Sequence, residues 1–146
     1  MTHSLAYVWS MTTQPPDHTH ETSFGLGVAA SLRRPSVELR RQIPAVYEGF
    51  RSLHDEAFAD AALSRRTKEL IALAIAVGQQ CDGCMASHAR GAVEHGASVE
   101  EVAETLGVCI AMMGGPGTVY APRAFAAYQE FAERHAARAG AGQPTP

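Results

Sequence analysis

The sequence predicts an all-α fold, and three observations carry that expectation. Apolar residues recur at i, i+3, i+4 and i+7 through most of the chain. No segment alternates with period two between hairpin turns. Cap and stop residues divide the chain into helix-sized pieces. The 146 residues suit one domain, and with only 7% aromatics its core must be filled by Ala, Leu, Val and Ile.

Residues 1–22 (MTHSLAYVWSMTTQPPDHTHET) are rich in Thr, Pro, Gln and His without a period and read as a tail. His18 and His20 belong to that solvated tail rather than to a metal site. Residues 36–58 place Val37, Leu39, Ile43, Val46, Tyr47, Phe50 and Leu53 on a helical rhythm, with Pro44 kinking or splitting it. Ser64 is the expected N-cap of a helix to about Val77, and Gly78 its stop. A further helix is expected from about Cys81 to His95, ending at Gly96. Ser98-Val99-Glu100-Glu101 is a capping box that opens a helix to about Met113. The stretch Gly114-Gly115-Pro116-Gly117 reads as a break, followed by a helix over 118–138. The expected organisation is a tail over 1–22, a helical domain over 23–138 and a second tail over 139–146.

A net charge of −3 and a pI of about 6.1 argue against nucleic acid as a partner. The longest apolar run, residues 70–77, is too short for a membrane span. The N-terminal segment lacks the basic and apolar regions of a secretory signal, so a cytoplasmic protein is expected. Three Cys cannot be a fully paired disulfide framework, and a CxxC in a reducing compartment is more often catalytic or metal-binding than structural.

The chemistry concentrates in Glu69–x11–Cys81–x2–Cys84–x3–His88. On a helix, Cys84 and His88 are i, i+4 and share a face, and Cys81 lies on the same stripe at the helix start. There the free N–H groups and the dipole favour a thiolate. Glu69 interrupts a nearly continuous apolar helix, so it is expected to be buried and therefore paired. It lies nine residues before Gly78, and His88 seven after Cys81. In an antiparallel helix hairpin those offsets are roughly 13 and 10 Å, which brings the two side chains to one level. Glu69 would then orient the His88 imidazole, and His88 would take a proton from Cys84.

This spacing resembles the motif of the AhpD-like alkylhydroperoxidases of the carboxymuconolactone decarboxylase superfamily. The resemblance extends through Gly96, Ser98, Glu100 and Glu101 to the Gly114–Gly117 stretch, over about residues 40–133. It implies a compact helical domain whose antiparallel hairpin carries the CxxC. It implies thiol-dependent hydroperoxide reduction with Cys84 as the peroxidatic cysteine, Cys81 as the resolving one and Glu69–His88 as a proton relay. The helix-dipole argument alone would favour Cys81 as the more acidic thiol. The resemblance further implies assembly as a homo-trimer or hexamer; an external dithiol or thioredoxin-like donor must reduce the disulfide, and no cofactor or metal is expected. One departure is Asp82-Gly83 between the cysteines, where peroxidase members carry a second His.

Other readings compete. Zinc on Cys81, Cys84 and His88 would need a fourth ligand, and no second CxxC supplies one. Glu69 could pair with Arg65 or Arg66 instead of His88. A decarboxylase-like lyase is an alternative function, although that branch works without a CxxC. A non-catalytic, oligomeric redox-sensing protein of the same fold is another. Cys109, Met112 and Met113 read as core residues. His54, His95 and His135 read as surface or capping residues. Tyr120 and Phe125 read as interface residues in preference to a pocket lining.

Overall fold

The computed structural model describes residues 22–142. Six helices follow one another: α1 (Leu26–Gln42), α2 (Pro44–Phe58), α3 (Arg65–Gly78), α4 (Asp82–Glu94), α5 (Val99–Met113) and α6 (Gly115–Gly140). The described residues contain no strand. The N-terminal tail with His18 and His20 lies outside them.

The core is built by α3 to α6, with α4 packed most heavily on α6 and α3. Half of the sixteen buried core residues are alanines, including Ala76 on α3, Ala86, Ala89 and Ala92 on α4, and Ala121, Ala124 and Ala127 on α6. Such small side chains let helix backbones approach closely. Gly117 takes this furthest: a Cβ there would lie 2.8 Å from Ile110 Cα on α5. Larger residues, Leu73, Met85, Val102 and Phe131, fill the gaps between the alanine faces. By contrast, α1 and α2 bury no residue at all. Their apolar side chains, Phe50 and Leu53 among them, stay mostly exposed.

Local caps form where the sequence places them. Ser64 Oγ accepts from Thr67 N–H at 3.2 Å. The Ser98–Glu101 box closes in both directions, at 3.2 and 2.8 Å. Pro44 splits the helix predicted over 36–58 and sits in the first turn of α2, where its missing N–H costs nothing.

Three boundaries differ from expectation. First, α1 begins at Leu26, ten residues before the predicted start, because Glu130 of α6 caps it. The Glu130 carboxylate accepts from the backbone N–H of Phe24 and Leu26 at 2.9 and 2.8 Å, and from Ser23 Oγ. Second, α3 does include Gly78, and it is Gln80, at φ 55°, that reverses the chain. Third, Gly114 alone, at φ 61°, breaks the chain between α5 and α6. Gly115, Pro116 and Gly117 already belong to α6, with Pro116 in its first turn.

Candidate functional site

The connection between α3 and α4 takes three residues, 79–81. It uses the last carbonyls of α3: Gln79 N–H donates to Ile75 O, Gln80 N–H to Val77 O, and Cys81 N–H to Ala76 O, all near 3 Å. Cys81 becomes the N-cap of α4, its sulfur accepting from Cys84 N–H at 3.2 Å. The two Cα atoms are 5.2 Å apart, inside the range a disulfide requires, and the two sulfurs are bonded.

Glu69 is the one buried charged side chain among the described residues, 3% exposed. Its Oε2 accepts from His88 Nδ1 at 2.9 Å, and its Oε1 lies 3.5 Å from Arg65 Nε. Of the three partners that the sequence allowed for Glu69, two, Arg65 and His88, are therefore paired with it at once. Arg66 instead pairs with Glu101 at 3.5 Å. A carboxylate only accepts, so His88 Nδ1 carries the hydrogen, and in the neutral ring the lone pair is then on Nε2. Arg65 is held in turn over the Phe58 ring, 5.6 Å from its centroid.

Room for the buried carboxylate comes from a residue that sequence reasoning missed. A Cβ on Gly91 would lie 2.5 Å from Glu69 Cδ. Gly91 sits one turn beyond His88 on the same face of α4, so the carboxylate fills the space its missing side chain leaves.

A groove of about 450 Å³ opens over this cluster between α2, α3 and α4. Cys84 and His88 line it; Cys81 and Glu69 do not. Its walls are mainly apolar, from residues such as Phe50, Leu53, Phe58, Ile71 and Ile75. His54 also lines it, which corrects its expected role as a surface or capping residue. His54 stacks on Phe58 at 4.2 Å between ring centroids, and Phe58 on His88 at 5.6 Å with the planes 6° apart. The His54 and His88 centroids are 6.5 Å apart. The signal in the sequence was the i, i+4 spacing of Phe50, His54 and Phe58, which puts this His on the apolar stripe of α2.

The remaining candidates lie elsewhere. Cys109 is buried, with its Sγ–H directed at Thr105 O, 3.4 Å away, and burial pushes its thiol up. Met113 packs on the core, whereas Met112 is 81% exposed, against expectation. His95 caps the C-terminus of α4. Tyr120 and Phe125 pack against the core and do not line the groove. No helix among the described residues is long and apolar enough to cross a membrane.

The sequence model of the carboxymuconolactone decarboxylase family matches residues 44–127, from the start of α2 into α6. The chain belongs to this family. As a carboxymuconolactone decarboxylase family protein it carries His54, Glu69, Cys81, Cys84, His88 and Gly91 all within the matched span. An uncharacterised protein of Cupriavidus necator is 37% identical over 106 residues, 68% of this chain and 94% of that one. An uncharacterised protein of the cox locus of Paracoccus denitrificans is 37% identical over 94 residues, 64% of this chain and 85% of that one. Among solved structures, a carboxymuconolactone decarboxylase family protein from Legionella pneumophila is 40% identical. It superposes with a TM-score of 0.70 over 73% of this chain and 95% of that one.

Proposed function

We propose that this family member is a thiol-dependent hydroperoxide reductase. The observation that carries the reading is the asymmetry of the cysteine pair. The two sulfurs are within bonding reach, yet Cys84 alone lines the groove beside His88. Cys84 is therefore the thiol a substrate meets, and Cys81, behind it at the cap of α4, is the thiol that resolves.

The chemistry follows from the groups present. A free cysteine ionises near 8.5, so the reaction needs a base for Cys84, and His88 Nε2 is the available lone pair. Glu69 holds the ring by Nδ1 and balances the charge when Nε2 takes the proton. The thiolate attacks the terminal peroxide oxygen; an S–O bond forms and the O–O bond breaks. Sulfur is oxidised by two electrons to a sulfenic acid, and the peroxide is reduced to an alcohol. Cys81 then attacks the sulfenic sulfur, releasing water and leaving the disulfide. An external dithiol or a thioredoxin-like protein returns both thiols.

The exposed apolar side chains of α2 and the end of α5, such as Val46, Phe50 and Met112, support a homo-oligomer, a trimer or hexamer. A cytoplasmic setting would keep the pair reducible.

The test is hydroperoxide consumption with a dithiol donor, run on wild type beside two variants. Cys84→Ser should abolish turnover. Cys81→Ser should accumulate a sulfenate on Cys84, captured by a dimedone-type reagent. Full turnover by Cys84→Ser would end this reading and return the lyase and redox-sensor alternatives to first place.

A further inference from the structure

Breaking the peroxide bond leaves an oxygen that must gain a proton, and we propose that His54 supplies it. The proposal rests on the hydroperoxide-reductase reading and adds a second catalytic imidazole to it.

The argument begins with what His88 is free to do. Its Nδ1 is committed to Glu69 at 2.9 Å, so Nε2 is its one remaining site. That site takes the Cys84 proton before the thiolate can attack. The leaving oxygen lies one bond beyond the atom under attack, further from the sulfur. A separate donor lining the same groove suits it better than the base that has just served the thiol.

His54 is such a residue. It comes from α2, while Cys84 and His88 come from α4, and all three line one groove. Phe58 stacks on both rings and sets their spacing, 6.5 Å between centroids. The other polar residues lining the groove fit the role less well. Lys68 is engaged, its Nζ donating to Ala59 O at 2.5 Å. Gln79 has no proton to give near neutral pH. His54 makes no hydrogen bond among the described residues; its closest carboxylate oxygen, Asp55 Oδ1, is 4.0 Å away. Its side chain is 31% exposed, so solvent can restore the proton after each turnover. Imidazole is the side chain suited to giving and regaining a proton in this range.

The step balances. The Cys84 proton passes to His88, an S–O bond forms as the O–O bond breaks, and the alkoxide leaves as an alcohol carrying the His54 proton. His54 is then reprotonated from water, and His88 releases its proton to water.

The experiment compares two oxidants on the full-length, dithiothreitol-reduced chain in single turnover. tert-Butyl hydroperoxide expels a strongly basic alkoxide that needs a proton. 3-Chloroperoxybenzoic acid expels a carboxylate that needs none. Wild type is run beside His54→Gln and His54→Phe, the latter keeping a ring on Phe58. Both variants should slow the alkyl hydroperoxide by about 100-fold and leave the peroxy acid within about three-fold. Equal slowing of both oxidants, recovery of the alkyl hydroperoxide rate in His54→Phe, or no slowing in either variant would overturn the assignment. If wild-type chain oxidises with neither reagent, the hydroperoxide-reductase reading itself fails and the proposal falls with it.

Discussion

One methyl group placed at Gly91 tests the architecture of the site. Gly91 lies inside α4, where glycine costs about 1 kcal/mol relative to alanine. From helix propensity alone, Gly91→Ala should therefore stabilise. The added Cβ would, however, lie 2.5 Å from Glu69 Cδ, far inside contact distance, so the carboxylate must move. Glu69 is buried with Arg65 on one oxygen and His88 on the other. Moving it loses a charge-assisted hydrogen bond, about 1.5–3 kcal/mol, and crowding a packed site adds about 1–3 kcal/mol. Set against the helix gain, the net loss is about 1.5–5 kcal/mol. Gly107 on α5 supplies the opposite sign, because nothing lies within 4 Å of a Cβ built there. Gly107→Ala should gain about 0.5–1 kcal/mol. Urea unfolding reads both; with a slope of about 1–3 kcal/mol per molar, the two midpoints should move in opposite directions. Slower alkylation of reduced Cys84 in Gly91→Ala would tie the loss to the His88 relay. A Gly91→Ala midpoint at or above wild type would show that Glu69 has room to spare and refute the reasoning.

Three further outcomes follow from the same geometry. Glu69→Gln removes the charge that balances a protonated His88, so the pH midpoint for alkylating reduced Cys84 should rise; an unmoved midpoint would sink the relay but spare the cysteines. Burial alone would raise the Glu130 carboxyl, but hydrogen bonds from Ser23 and from the N–H groups of Leu26, Gly25 and Phe24 hold it below the ordinary 4.5. A depressed folded value means this stabilisation is complete above the unfolded value and drains away as pH falls through the folded one. Glu130→Gln should therefore flatten the loss of unfolding midpoint between about pH 5 and pH 3, and an unchanged acid limb would contradict the cap. Cys109 is buried and its thiol pushed up, so reduced native protein should alkylate rapidly at Cys81 and Cys84 alone, and mass spectrometry should find Cys109 modified only after denaturation.

The parts of the fold legible in the sequence are those whose causes are local. The Ser98–Glu101 box and the Ser64 cap each join residues three apart, so reading a few letters finds them. The start of α1 was hidden because its cap is Glu130, a carboxylate 106 positions from Phe24. The stretch after Met113 misled for a related reason. Gly-Pro-Gly composition suggests a break, yet a proline in the first turn of a helix gives up no hydrogen bond, so only Gly114 leaves the helical conformation.

The site divides along the same line. Cys81, Cys84 and His88 share one stripe of α4 by spacing alone, and Glu69 joins them through a single fold-back of the chain. His54 required knowing that the fold brings the ring stripe of α2 beside His88, and α2 buries nothing that would announce its docking. Gly91 was closer to reach. Its setting makes Glu69 a buried carboxylate that needs a partner, and Gly91 is i+3 from His88, on the face the partner occupies. A carboxylate cannot enter a packed helix interface without displaced volume, and the helix facing it must give that volume up. The stripe of α4 runs Cys81, Cys84, His88, Gly91: two cysteines, an imidazole, then no side chain at all where the carboxylate enters. The glycine is thus the steric counterpart of Glu69. A buried acid on one helix, with a glycine one turn past a His on the next, is the pattern that would locate such a pair without coordinates.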